Sequence, residues 1–152
     1  MLRKVGCAAT LAFAGACSVA GANVTAVHRI FYLKLSVGEC AQAPKGTGGP
    51  GHKTLLVVPC SSPVHNLETY AVLHGGWGHG TPPSHPAVDA LGRSLCLNSF
   101  QRRFGHPIRR GYGYQYYFPD PGAETARYGD RFICSLGLYP SFGPMGAGTH
   151  FR

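Results

Sequence analysis

Cys40, Cys60, Cys96 and Cys134 are the residues of this chain whose type and spacing specify chemistry most directly. They are what remains of six cysteines once Cys7 and Cys17 are assigned to an N-terminal leader. An even number of cysteines in an exported domain points to a disulfide framework, and four permit three pairings. Cys40 with Cys60 and Cys96 with Cys134 are the favoured pairs, because each brackets a segment able to fold back locally. Loops of this size constrain the unfolded chain by about 3 kcal/mol each in the entropy model. The spacing gives a zinc site no support, since it contains no C-x-x-C and no closely spaced Cys/His pair. Each thiol has a candidate partner, which argues against a catalytic cysteine.

Histidines and aromatic residues supply the other candidate sites. His74, His79 and His85 surround Trp77 in a Gly/Pro-rich stretch. Flexible His-rich loops collect zinc or copper, so these three define an alternative metal-binding function; a solvated surface loop is the simpler reading. His65 and Glu68 form H-x-x-E, which places two ligands on one face of a helix but on opposite faces of a strand. His65 therefore reads as a turn or strand-end histidine. Asp130 and Arg131, after Gly129, read as a turn-capping carboxylate and a surface or paired guanidinium. Arg102-Arg103 and Arg109-Arg110 precede Tyr112, Tyr114, Tyr116 and Tyr117, a pattern that serves in other proteins as a stacking groove for single-stranded nucleic acid. An exported location removes that target. The same stretch, with Arg109, Arg110, Tyr112 and Tyr114 foremost, supplies anchor contacts for a protein partner or an anionic polymer, and its aromatic residues are equally suited to a core.

Enzyme signatures are missing. The sequence has no G-x-S-x-G, S-x-x-K or H-E-x-x-H. Residues 46–54 resemble a phosphate-binding loop, but His52 separates Gly51 from Lys53 and a strand rather than a helix follows. Paired carboxylates for glycan cleavage would have to come from Glu39, Glu68, Asp89, Asp120, Glu124 and Asp130, and nothing in the sequence shows that any two of them meet. The expectation is a non-enzymatic protein without a cofactor.

Location follows from the leader. Arg3 and Lys4 precede a charge-free apolar run over 5–16, then Ala14-Gly15-Ala16-Cys17 and Ala20-Gly21-Ala22. A basic n-region, an apolar core and a small-x-small site form an export signal. The run is too short for a membrane span, which needs about 20 apolar residues. Two cleavage sites compete. Residues 13–17 resemble a bacterial lipobox, with Ala14 where Leu is usual, and would leave a lipid-anchored Cys17; cleavage after Ala22 would release the chain. The signal is thus 1–16 or 1–22, with 23–34 a linker or entering strand and 140–152 a flexible tail. Either way the protein is expected outside the cytoplasm, secreted or held at the outer face of the membrane. The formal charge of +8 becomes +6 without Arg3 and Lys4, enough for attraction to anionic envelope polymers and lipid head groups.

The elements that must position these residues form an α+β domain: a small antiparallel sheet, one main helix, many loops and two disulfides. Residues 35–40 read as a short strand closed by a turn and 41–53 as a loop. Thr54-Leu55-Leu56-Val57-Val58 is a buried-strand signal, and 67–73 reads as its antiparallel partner. Glycine, proline and histidine make 75–86 a loop. The main helix runs over 84–104, with Ser84 as cap, Pro86 in its first turn, and Ala87, Leu91, Leu95, Cys96, Phe100 and Phe104 on one apolar face. Residues 112–118 form an aromatic strand and 131–139 the strand that Cys96 reaches.

Taken in order, these pieces are similar to a known family. Val37-Gly38-Glu39-Cys40, then residues 57–65 (V-V-P-C-S-S-P-V-H) with Glu68, a helix carrying Cys96 and Phe100, and Tyr128-Gly129-Asp130-Arg131 leading to Cys134 resemble the septum formation domain of actinobacterial envelope proteins. The resemblance covers 35–138. It departs in two places: Glu39 stands where Asp is usual, and Val64 separates Pro63 from His65. The resemblance implies an envelope role near division and carries no defined chemistry.

Overall fold

The computed structural model describes residues 27–44, 53–138 and 145; the leader, Cys17 and most of 140–152 lie outside the described residues. The fold is α+β. Six strands, β1 (His28–Phe31), β2 (Cys40–Gln42), β3 (Thr54–Val58), β4 (Leu67–His74), β5 (Tyr112–Tyr117) and β6 (Arg131–Leu138), form one antiparallel sheet in the order β1-β3-β2-β4-β6-β5. Helix α1 is His85–Phe104 and helix α2 is Ala123–Tyr128. Among the described residues no helix is long and apolar enough to cross a membrane.

Alternation along the strands sends side chains to two faces, and each face has its own apolar cluster. Leu33, Leu35, Ala41, Leu55, Val57, Leu67 and Ile133 pack on one face with Tyr32, beneath the 3₁₀ turn Tyr32–Lys34. Tyr70, Ala71, Cys96, Phe100, Cys134 and Leu136 pack on the other, under α1. Both favoured disulfides are present. Cys40–Cys60 ties β2 to the turn after β3, and Cys96–Cys134 staples α1 to β6. Separations of 20 and 38 residues correspond to about 3 and about 4 kcal/mol of unfolded-state constraint.

Several local expectations are corrected. Residues 36–38 turn instead of extending: Gly38 has φ +88° and the Glu39 carboxylate accepts the Ser36 amide at 2.7 Å, so the strand begins only at Cys40, the last residue of the stretch read as a strand, and runs on to Gln42 in the stretch read as a loop. That short strand inserts between β3 and β4. β4 therefore pairs with β2 and β6 and not with β3. The buried stripe of α1 is Val88, Gly92, Cys96 and Phe100, a strict spacing of four, while Ala87 is exposed and Leu91 and Leu95 are half-buried. The helix is rotated toward its smallest residue because Gly92 lets its backbone approach the sheet. Ser84 takes the N-cap position without a side-chain bond; its carbonyl accepts the Ala87 and Val88 amides. Gly105, in the left-handed conformation, closes the C-terminus. Helix α2 is an addition to the single helix expected. Residues 28–34 are a strand and turn of the domain itself, and within 140–152 Met145 is buried, its amide donating to the His65 carbonyl at 2.8 Å.

Candidate functional site

The aromatic stretch becomes β5, which has β6 as its one neighbour among the described strands and so lies at a sheet edge. Alternation puts Tyr112, Tyr114 and Tyr116 on the α1 side, opposite Leu138, Leu136 and Cys134 of β6. Their rings form a row: Tyr114 and Tyr116 stack with centroids 6.0 Å apart, and Tyr116 and Phe118 follow at 6.4 Å. The Tyr116 hydroxyl donates to the Asp89 carboxylate of α1 at 2.6 Å. Burial and that carboxylate push the Tyr116 hydroxyl up to about 12. Tyr117 faces the other way, onto the Tyr32 ring at 5.1 Å, and its buried hydroxyl has no partner among the described residues. The tyrosines are thus half core, half rim, as their half-buried state records.

Charge brackets this edge. Arg109 and Arg110 are exposed immediately before β5, and Asp120 follows it. Asp120 accepts a hydrogen bond from Lys53 at 3.3 Å, both side chains being about half exposed. Lys53 also binds Glu124, which accepts the Tyr32 hydroxyl at 2.9 Å and the Asp120 amide at 3.0 Å. Burial would raise the Glu124 carboxyl, but bonds from Lys53, the Asp120 amide and Tyr32 hold it below the usual range. Of the other arginines in the stretch, Arg102 is exposed, whereas Arg103 donates to the Tyr70 carbonyl at 2.8 Å and lies over Phe104.

The three loop histidines do not converge. His74 Nδ1 lies 2.7 Å from the Asp130 carboxylate, His79 Nδ1 lies 3.0 Å from the Ala126 carbonyl, and His85 opens α1 with its ring edge on Phe118. Among the described residues no three His, Cys, Asp or Glu side chains come within reach of one metal ion. The reason is Asp130. Its second oxygen accepts the Gly76 and Gly78 amides at 2.6 and 3.0 Å, so the stretch read as a flexible collector is folded around one buried carboxylate. A carboxylate only accepts, which puts the His74 proton on Nδ1. Burial would raise the Asp130 carboxyl, yet bonds from His74, Gly78 and Gly76 outweigh it and hold it at about 2.

The remaining candidates are internal. His65 is fully buried, its Nδ1 2.6 Å from the Ser62 carbonyl, and its Nε2 has no partner among the described residues. Arg131 donates to the Leu35 carbonyl at 3.0 Å, so it braces two segments instead of facing solvent. Sequence reading missed the partnerships of Asp89, Asp120 and Glu124. The one available signal was the P-D-P-G turn, which places an acid just past an aromatic strand. The chain matches no protein-family model, no curated protein and no solved structure.

Proposed function

We propose that this chain is an exported, non-enzymatic binding and scaffolding module of the bacterial cell envelope, of the septum formation kind, that meets an anionic envelope partner through the edge running from Arg109 to Tyr116. One observation carries the reading: exposed Arg109 and Arg110 sit directly before an edge strand whose Tyr112 and Tyr114 are only half-buried. Arginine and tyrosine are the residues that anchor interfaces, because they supply large contact area with a polar tip. Two further features support it. Glu39, Asp89, Asp120, Glu124 and Asp130 each accept a hydrogen bond from the chain itself, a structural use of carboxylates. Two disulfides belong to an oxidising, extracytoplasmic compartment.

Co-sedimentation of the mature protein with purified cell walls tests the proposal. Binding should weaken with added salt, and a variant with alanine at Arg109, Arg110, Tyr112 and Tyr114 should lose most of it while keeping its circular dichroism spectrum. Equal sedimentation of a folded variant and the wild type overturns the reading.

A further inference from the structure

The two disulfides differ in how a nucleophile can reach them. Thiol–disulfide exchange begins when a thiolate attacks one sulfur of the bridge, so a bridge opens in a folded protein only where one of its cysteines is accessible. Cys96 and Cys134 are both 0% exposed, and their bridge lies beneath α1 in the apolar cluster of that face. Cys40 is also 0% exposed, but Cys60, in the turn after β3, is only half-buried. Ser61, Pro63 and Val64 in the same turn are exposed. Solvent therefore reaches one bridge, and reaches it from the Cys60 side.

The fold holds the Cys60 segment a second time without sulfur. Before Cys60, β3 pairs with β2 as far as Val58, opposite Cys40. After it, the Asn66 side chain clasps Ala43: its Oδ1 accepts the Ala43 amide at 2.7 Å and its Nδ2 donates to the Ala43 carbonyl at 2.8 Å. The Asn66 amide adds a bond to the Ala41 carbonyl at 3.0 Å. Both ends of the loop 59–65 are thus tied to residues 40–43 by bonds that do not need the bridge. The reduced state is accommodated as well, since the Gly38 carbonyl oxygen lies 3.5 Å from Cys60 Sγ and can accept a thiol proton.

We infer that Cys40–Cys60 is a thiol-exchange site, opened by a dithiol reductant in the folded protein while Cys96–Cys134 stays closed. One thiolate of the dithiol attacks Cys60 Sγ; the bond between the two cysteine sulfurs breaks, and Cys40 leaves as a thiolate that takes up a proton. The second thiolate of the reductant then attacks the reductant sulfur joined to Cys60, closing the reductant's own disulfide and releasing Cys60, which is protonated in turn. Two electrons pass from the dithiol to the bridge. The dithiol is oxidised to a disulfide and the chain gains two thiols. Opening frees the exposed 61–64 turn from its covalent tie to β2 and leaves the sheet in place.

Timed treatment of the oxidised wild-type protein with dithiothreitol at neutral pH, followed by maleimide alkylation in denaturant and peptide mass mapping, provides the test. Cys40 and Cys60 should become labelled on the order of tenfold faster than Cys96 and Cys134. The protein with one bridge open should keep its circular dichroism spectrum. Equal rates for the two bridges, earlier opening of Cys96–Cys134, or loss of the fold on opening Cys40–Cys60 overturns the inference. The sulfur attacked is read from two variants exposed to glutathione disulfide without denaturant. Cys40→Ser should take the glutathione adduct at Cys60 on the order of tenfold faster than Cys60→Ser takes it at Cys40. Equal or reversed rates in folded variants overturn the assignment to Cys60, and the wild-type labelling order decides the matter if either variant fails to fold.

Discussion

Asp130 shows how one buried acid organises a segment poor in side chains able to do so. At 5% exposure it accepts bonds from His74 and from the Gly76 and Gly78 amides, and its own carbonyl accepts the Gly75 amide at 3.0 Å. Its carboxyl titrates at about 2 in the folded chain against an ordinary 3.8. A depressed folded value contributes stability that is complete above the unfolded value and is lost as pH falls through the folded one. At about 1.4 kcal/mol per pKa unit, the contribution is about 2 kcal/mol, present above about pH 4 and gone near pH 2. Asp130→Asn, which turns a donor toward one of those bonds, should destabilise the protein by about that amount at neutral pH. The gap between wild-type and variant melting temperatures should then close on acidification through that window. Equal melting at pH 7 would contradict the assignment. The sequence marked Asp130 as a turn cap but not its partners, because two of its three donors to the carboxylate are backbone amides, which carry no residue-type signal. The Gly76-Trp77-Gly78 spacing was the only hint.

At the scale of elements, α1 depends on a glycine in its buried stripe. A Cβ at Gly92 would lie 2.8 Å from Phe132 Cε1 and 2.8 Å from Tyr116 Cδ2. Alanine at an exposed mid-helix site would stabilise by about 1 kcal/mol relative to glycine. Here it must lift the helix or tilt two rings, and overpacking costs about 1–3 kcal/mol. Gly92→Ala should therefore lower the urea midpoint with an unchanged slope and weaken the Tyr116–Asp89 bond; a midpoint at or above wild type would refute the close approach. The start of α1 was readable from Ser84 and Pro86, whereas its rotation was not, since large apolar residues such as Leu91 and Leu95 outweigh a glycine in any periodicity. β2 and α2 were unreadable for a different reason. Elements of three and six residues are defined by their neighbours: Cys40–Gln42 is a strand because β3 and β4 flank it.

For the whole molecule, the fold class and both disulfides were legible, because β-branched runs, a long capped helix and four spaced cysteines each carry a local signal. The sheet order was not, because it depends on which segments return across the chain. Intact mass of the natively produced protein, with and without reduction and alkylation, tests the export reading together with the staples. Four protected thiols are expected, on a chain beginning either at a diacylglycerol-modified Cys17 or at Asn23. Four free thiols would contradict the disulfide framework.

The position of β6 bears on how such a molecule is made. It is the last described strand in sequence, yet it lies inside the sheet between β4 and β5. A polypeptide threaded through a pore N-terminus first presents β1 to β5 and α1 before the strand that joins its two halves. If the chain is exported as proposed, β5 lacks its one neighbour among the described strands and Cys96 lacks its thiol partner until residues 131–138 clear the pore. On that route Cys40 and Cys60, only 20 residues apart, would emerge as a pair before Cys96 and Cys134. Pairing cysteines in order of arrival would give the two bridges seen, because each joins cysteines consecutive along the chain.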